Sequence, residues 1–186
     1  MMEHRALEFI ELCINQYLYT RKVYPASIFT PIQKYGIRVY ISRHPDLKSY
    51  IHECCKSLLP LANVFEKLVI SDARKDQLVI EWKNLLLNAD TFTSDFASSL
   101  VLLQSRSPGG TTNEDVNHDS PFTIYVYTME EKNSVVWNSD SCIWVPDNQD
   151  SNDDDDDTTV VVYPISCFKN FQLYYNAKAR PTGKNV

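Results

Sequence analysis

Glycine is scarce, only 4 of 186 residues, and its one adjacent pair, Gly109 and Gly110, is not followed by Lys and Ser or Thr. A phosphate-cradling loop needs glycines ahead of that Lys so that the backbone can wrap an anion, so nucleotide hydrolysis of that kind is excluded. Positive charge is also in deficit, with 18 Lys and Arg against 24 Asp and Glu and a net charge of -6. Affinity for a phosphate backbone rests on a basic surplus, so direct nucleic-acid binding is not expected. The five cysteines are odd in number, with Cys54 and Cys55 adjacent and Cys13, Cys142 and Cys167 scattered. That is no disulfide framework, and reduced thiols are expected. No apolar run approaches the roughly 20 residues of a membrane-spanning helix. The chain opens on Glu3, His4 and Arg5 without a signal-like apolar segment and has no Asn-x-Ser/Thr acceptor. The expectation is a soluble intracellular chain with no membrane partner.

What is present is enough for one buried core: 44% hydrophobic and 12% aromatic residues. Leu7, Ile10, Cys13, Ile14, Tyr17 and Leu18 recur at helical spacing, with Glu8, Glu11 and Asn15 between them. This predicts an amphipathic helix that stops at about Lys22, ahead of Pro25. A loop through Pro31 and Gly36 leads to an extended run, Arg38 to Ser42. Pro45 and Asp46, in a first-turn position beside His44 as cap, open a second helix with a stripe of Leu47, Tyr50, Ile51, Cys54 and Leu58, ended by Pro60. Strands are expected at Val64 to Ser71 and Leu78 to Lys83, joined by a turn over Asp72 to Asp76. A third helix, capped by Thr93 or Ser94, buries Phe96, Leu100 and Leu103 and precedes a polar loop from Ser105 to Ser120. Phe122 to Thr128 alternates as a strand.

From Asn133 the helical period is lost. Short extended runs, Val135 to Trp137, Ile143 to Val145, Val160 to Pro164 and Phe171 to Tyr175, read as an irregular β-rich tail. The order is an α+β plan and not the alternation of a parallel sheet.

Catalytic constellations are thin. His52, Glu53, Cys54 and Cys55 form the one local cluster of ligand or nucleophile types, but neighbours on a helix point apart, and Cys142 and Cys167 supply no second zinc pair. A small thiol enzyme using Cys54 and His52 is the weaker alternative to a structural Cys54. The run Asp153 to Asp157 lacks the ligand alternation, central Gly and terminal Glu of a calcium loop, and reads as a self-repelling solvated segment. Neither a metal nor a cofactor is expected.

Tyr19-Thr20-Arg21-Lys22-Val23-Tyr24-Pro25, Ile28-Phe29, Tyr35, Arg43-His44-Pro45-Asp46-Leu47 and Tyr50-Ile51 resemble the HORMA-domain family, and within it the accessory, non-catalytic subunits of DNA polymerase zeta. Ile143-Trp144-Val145-Pro146 and Gln172-Leu173-Tyr174 resemble later segments of that family. The resemblance implies three helices on an antiparallel sheet in one HORMA domain over 1–186, with a core over 1–128 and a tail over 129–186 that acts as a safety belt. It implies a nuclear adaptor that is not an enzyme and traps an extended peptide of the polymerase zeta catalytic subunit under that belt. It also implies a bridge to the C-terminal domain of the deoxycytidyl-transferase scaffold of translesion synthesis. Tyr50 and Trp144 resemble peptide-contacting positions; Val162, Gln172 and Tyr174 resemble the second-partner surface. Relatives that dimerise through the third helix carry an Arg near the position of Val101, so a homodimer by that route is not implied. A spindle-checkpoint HORMA protein binding a mitotic regulator is the rival reading within the family.

Overall fold

The first amphipathic segment forms α1 (Glu3–Thr20), yet it is buried nearly all round and not along one stripe. Asn15 and Gln16, polar residues that solvent would ordinarily receive, are 4% and 1% exposed. The reason is that α1 lies between two sheets in a computed structural model that describes residues 3–82, 93–106, 122–129, 135–138, 143–146, 160–168 and 171–178. The helix ends two residues earlier than expected. Val23 N–H reaches back to Leu18 O at 3.0 Å and Lys22 N–H to Tyr19 O at 3.1 Å, with Lys22 left-handed at φ 53°. This is a Schellman closure made without glycine.

The segment through Pro31, expected as loop, is a strand. β1 (Phe29–Lys34) pairs antiparallel with β2 (Ile37–Ser42), and Pro31 stands opposite Tyr40. Proline is tolerated because β1 is an edge, where a missing N–H breaks no ladder. The two-residue turn has positive φ at both Tyr35 (51°) and Gly36 (77°), which matches the twist of a tight hairpin and favours glycine at the second position. The free edge of β2 is closed by side chains: Asn15 Oδ1 accepts from Ser42 N–H (2.9 Å), Gln16 Oε1 from Tyr40 N–H (3.2 Å), and Gln104 Nε2 donates to Arg38 O (2.7 Å). Three amides thus serve β2 as a neighbouring strand would.

α2 (Pro45–Lys56) starts with Pro at its first turn and Asp46 near its positive end, as expected, but His44 makes no side-chain cap bond. Its buried residues are Leu47, Ile51, Cys54 and also Cys55; Tyr50 is half-buried, and Pro60 sits within a short 3-10 turn, Leu59–Leu61. β3 (Phe65–Asp72) and β4 (Gln77–Trp82) form a hairpin, α3 (Thr93–Ser105) follows, and β5 (Phe122–Thr128) pairs with β3. Of the loop expected from Ser105 to Ser120, Ser105 instead closes α3, and positions 107–120, like the Asp153 to Asp157 run, lie outside the described residues.

The tail is more regular than its sequence suggests. β6 (Val135–Asn138), β7 (Ile143–Pro146), β8 (Val160–Phe168) and β9 (Phe171–Lys178) complete an antiparallel seven-stranded sheet ordered β7-β6-β5-β3-β4-β9-β8. The helices lie between this sheet and the β1–β2 hairpin. Phe9 stacks on Phe96 at 4.1 Å and packs at an angle against Phe171 at 5.4 Å and Trp82 at 6.3 Å, joining α1, α3, β9 and β4 in one aromatic core. The tail strand β9 is part of that core: Phe171, Leu173, Tyr175 and Ala177 all point inward.

Candidate functional site

The path of the tail sets the site. β7 ends on one edge of the seven-stranded sheet, while β8 begins on the other. Six interstrand steps of about 4.8 Å separate those edges, roughly 29 Å, and the 13 residues numbered 147–159 join them. Extended chain of that length reaches about 45 Å, so the connection is long enough to cross the sheet. The chain therefore leaves by one side of its own sheet and returns by the other.

β5, the strand next to the departing tail, is unevenly paired. On its β3 side every residue from Phe122 to Thr128 has a partner. On its β6 side the pairs among the described residues are Tyr125 with Val136 and Val126 with Val135. Among the described residues, Phe122 to Ile124 have no paired residue on that side, although β6 continues to Asn138. A strand whose pairing stops short on one side can take an added strand there.

Aromatic rings gather at that half of β5. Tyr50 from α2 meets Phe122 edge-on at 5.6 Å, and Tyr24, from the turn after α1, meets the same ring edge-on at 6.2 Å. Burial pushes the phenols of both tyrosines up, so both are neutral donors at physiological pH. Trp144 of β7 stands opposite Trp137, and Val136 opposite Tyr125, so Trp144 falls in the row of Ile124, two residues along from Phe122. Its side chain is half-buried against the core. Tyr50 and Trp144, proposed from resemblance as peptide contacts, thus come to the same half of β5. Tyr24 and Phe122 belong to the cluster too. Sequence reasoning passed over them because an aromatic before Pro and an aromatic in an alternating strand each look like ordinary core.

Val162, Gln172 and Tyr174 lie together elsewhere. Gln172 and Tyr174 share the outward face of β9, and Val162, opposite Asn176, stands on that same face of β8. Val162 is 55% exposed, Gln172 is exposed and Tyr174 is half-buried. Pro164, also outward, receives a hydrogen bond on its carbonyl from Arg106 at 2.8 Å, and the Ser99 and Ser166 hydroxyls bond at 2.8 Å, so α3 fastens β8. Val101, on α3, is exposed.

The thiol alternative finds no such convergence. Cys54 is fully buried, and burial pushes its thiol well up, as it does those of Cys13 and Cys55. His52 is exposed, with Nδ1 3.5 Å from Glu11. Base and nucleophile occupy opposite sides of α2. Among the described residues no group of three or more His, Cys, Asp or Glu is placed to hold a metal ion.

No family model matches the chain. It is 31% identical over 137 residues to the mitotic spindle assembly checkpoint protein MAD2B of Rattus norvegicus, a match covering 66% of this chain and 64% of that protein. It is 27% identical over 77 residues to the DNA polymerase zeta processivity subunit of Arabidopsis thaliana, covering 40% of this chain and 36% of the relative. The matched stretches thus span less than two thirds of these relatives' lengths. A chain in the crystal structure of the mitotic checkpoint complex superposes with a TM-score of 0.62 at 18% identity, covering 94% of each chain. Three helices packed on an antiparallel sheet whose tail occupies both edges give the chain the fold of HORMA-domain proteins, and its sequence is similar to MAD2B and to a polymerase zeta processivity subunit.

Proposed function

We propose that this chain is a non-catalytic adaptor, and that its tail, residues 129–186, closes over an extended segment of a partner protein held by the core, residues 1–128. The observation that carries the reading is the short pairing of β5 with β6, which leaves Phe122 to Ile124 without a paired residue on that side among the described residues, near Tyr24, Tyr50 and Trp144. An extended segment added there pairs its main chain with β5, and the rings give pockets for alternate side chains. The partner is the catalytic subunit of DNA polymerase zeta, in keeping with the Arabidopsis relative. The outward face of Val162, Gln172 and Tyr174 docks the C-terminal domain of the deoxycytidyl-transferase scaffold, so the adaptor joins two polymerases in lesion bypass in the nucleus. A second reading, a checkpoint adaptor that traps a mitotic regulator, draws on the name carried by the MAD2B relatives.

Affinity purification from native extract, followed by mass spectrometry and limited proteolysis, tests these readings. Recovery of a large polymerase with one protease-protected segment supports the first, and recovery of a mitotic regulator supports the second. An unaccompanied protein that turns over a substrate contradicts both.

A further inference from the structure

β4 and β9 run side by side, with Gln77 opposite Asn176, Val79 opposite Tyr174 and Glu81 opposite Gln172. Directly opposed residues share a face. These six stand on the face away from the helices, because the alternate residues Leu78, Ile80, Leu173 and Tyr175 are buried in the helix-side core. Two side-chain bonds cross between the strands on this face. Tyr174 Oη donates to Glu81 Oε1 at 2.5 Å, and Asn176 Nδ2 donates to Gln77 Oε1 at 3.5 Å. Val79, between them, is 1% exposed. Lys67, opposite Glu81 on β3, sets its ammonium 4.6 Å from the ring centroid of Tyr127. Burial pushes the Tyr174 phenol up, and the bond to the Glu81 carboxylate pushes it further, which keeps the hydroxyl a donor.

We propose that Glu81 is the positioning residue of the tail's outward surface: it fixes the Tyr174 ring beside Gln172, so that the second partner reads a patch built jointly by β4 and β9. The inference rests on the assignment of that surface to a second partner and adds a residue from the core to it. A half-buried tyrosine has several rotamers, and a bond to a charged acceptor selects one before the partner arrives. Less ordering is then left to be done on binding. Because Glu81 lies on β4 and Tyr174 on the tail, the patch is complete only while β9 keeps this register. A partner that reads it binds the chain with its tail docked.

The test uses the full chain loaded with its trapped peptide and the purified C-terminal domain of the deoxycytidyl-transferase scaffold as probe, with affinity read by calorimetry. Glu81→Ala weakens the probe on the order of tenfold, the loss of one bond to a charged group. Glu81→Gln, whose amide oxygen still accepts, stays within about twofold. Tyr174→Phe loses as much as Glu81→Ala, and the double variant loses no more, because both remove the same bond. Peptide capture is unchanged in all of them. Wild-type affinity in Glu81→Ala, with loss in Tyr174→Ala, overturns the positioning role and leaves the surface standing. Wild-type affinity in both removes the surface assignment and the role with it. Peptide capture falling in step with probe binding in Glu81→Ala makes the residue a fold contact and also overturns the role.

Discussion

Tyr17 donates its phenol hydroxyl to the main-chain oxygen of Asp76 at 2.9 Å, bonding the last turns of α1 to the β3–β4 turn across 59 residues of sequence. The same turn holds Asp72 and Asp76, and the guanidinium of Arg21 bridges both, its Nε 3.3 Å from Asp72. All three charges are buried. Tyr175 of the tail packs 5.9 Å from Tyr17, so β9 closes over this charged cluster.

Removing Arg21 leaves two carboxylates without their buried counter-charge. Arg21→Met is expected to destabilise the chain by about 3–5 kcal/mol in urea unfolding. Tyr17→Phe, which removes one neutral bond, is expected to cost about 1 kcal/mol. Equal effects from the two substitutions contradict the assignment of the larger role to the ion cluster.

The amides that close β2 are open to a similar test. Gln16→Leu strips the acceptor from Tyr40 N–H and from Gln104 and is expected to cost about 1–3 kcal/mol. Hydrogen exchange is expected to quicken at Tyr40 and stay unchanged in β4. Uniform acceleration over both sheets contradicts the local role.

Alkaline pH provides a third test. Tyr17, Tyr35, Tyr50, Tyr174 and Tyr175 are shifted up, by burial first, as are the thiols of Cys13, Cys54 and Cys55. Raised groups contribute stability that is whole below their unfolded values, 9.0 for the thiols and 10.0 for the phenols, and is lost as pH rises toward the folded ones. The melting temperature is expected to fall steeply above about pH 9, with these groups adding no slope from pH 6 to 8. A flat profile to pH 11 contradicts the burial of these side chains.

Release of the tail is expected to be slow. Phe171 and Leu173 alone bury side chains worth about 3–6 kcal/mol against exposure. Phe171→Ala is therefore expected to raise the dissociation rate of a captured peptide by at least about tenfold in surface plasmon resonance, with a smaller change in association. An unchanged dissociation rate means that release does not pass through undocking of β9.

Much of this architecture is legible from residue spacing, and the exceptions have physical causes. The positions of the three helices and the strand Phe122–Thr128 follow from apolar periodicity, which burial against one layer imposes on all but α1. α1 departs from it because a second layer, the β1–β2 hairpin, claims the side where Asn15 and Gln16 stand; a polar residue that serves a strand edge looks the same in sequence as one that serves water. β1 was hidden by Pro31, which only an edge admits. Arg21 lies 51 residues before Asp72 and 55 before Asp76, so nothing in the order of residues announces that it neutralises them. In the tail, four to nine residues per strand leave little room for alternation to declare itself, and the regular pairing emerges only from the register with β4 and β5.

The central claim is that a partner's extended segment lies along the first half of β5 with the tail around it. Its most direct measurement is amide hydrogen exchange of the purified chain, with and without overlapping peptides that span the polymerase zeta catalytic subunit. One peptide is expected to slow exchange at Phe122 to Ile124 strongly, to leave Leu68 to Ile70 of β3 unchanged, and to lose its hold in Trp144→Ala while keeping it in Tyr174→Ala. Binding that leaves Phe122 to Ile124 exchanging as in the free chain, or that survives Trp144→Ala undiminished, contradicts the account.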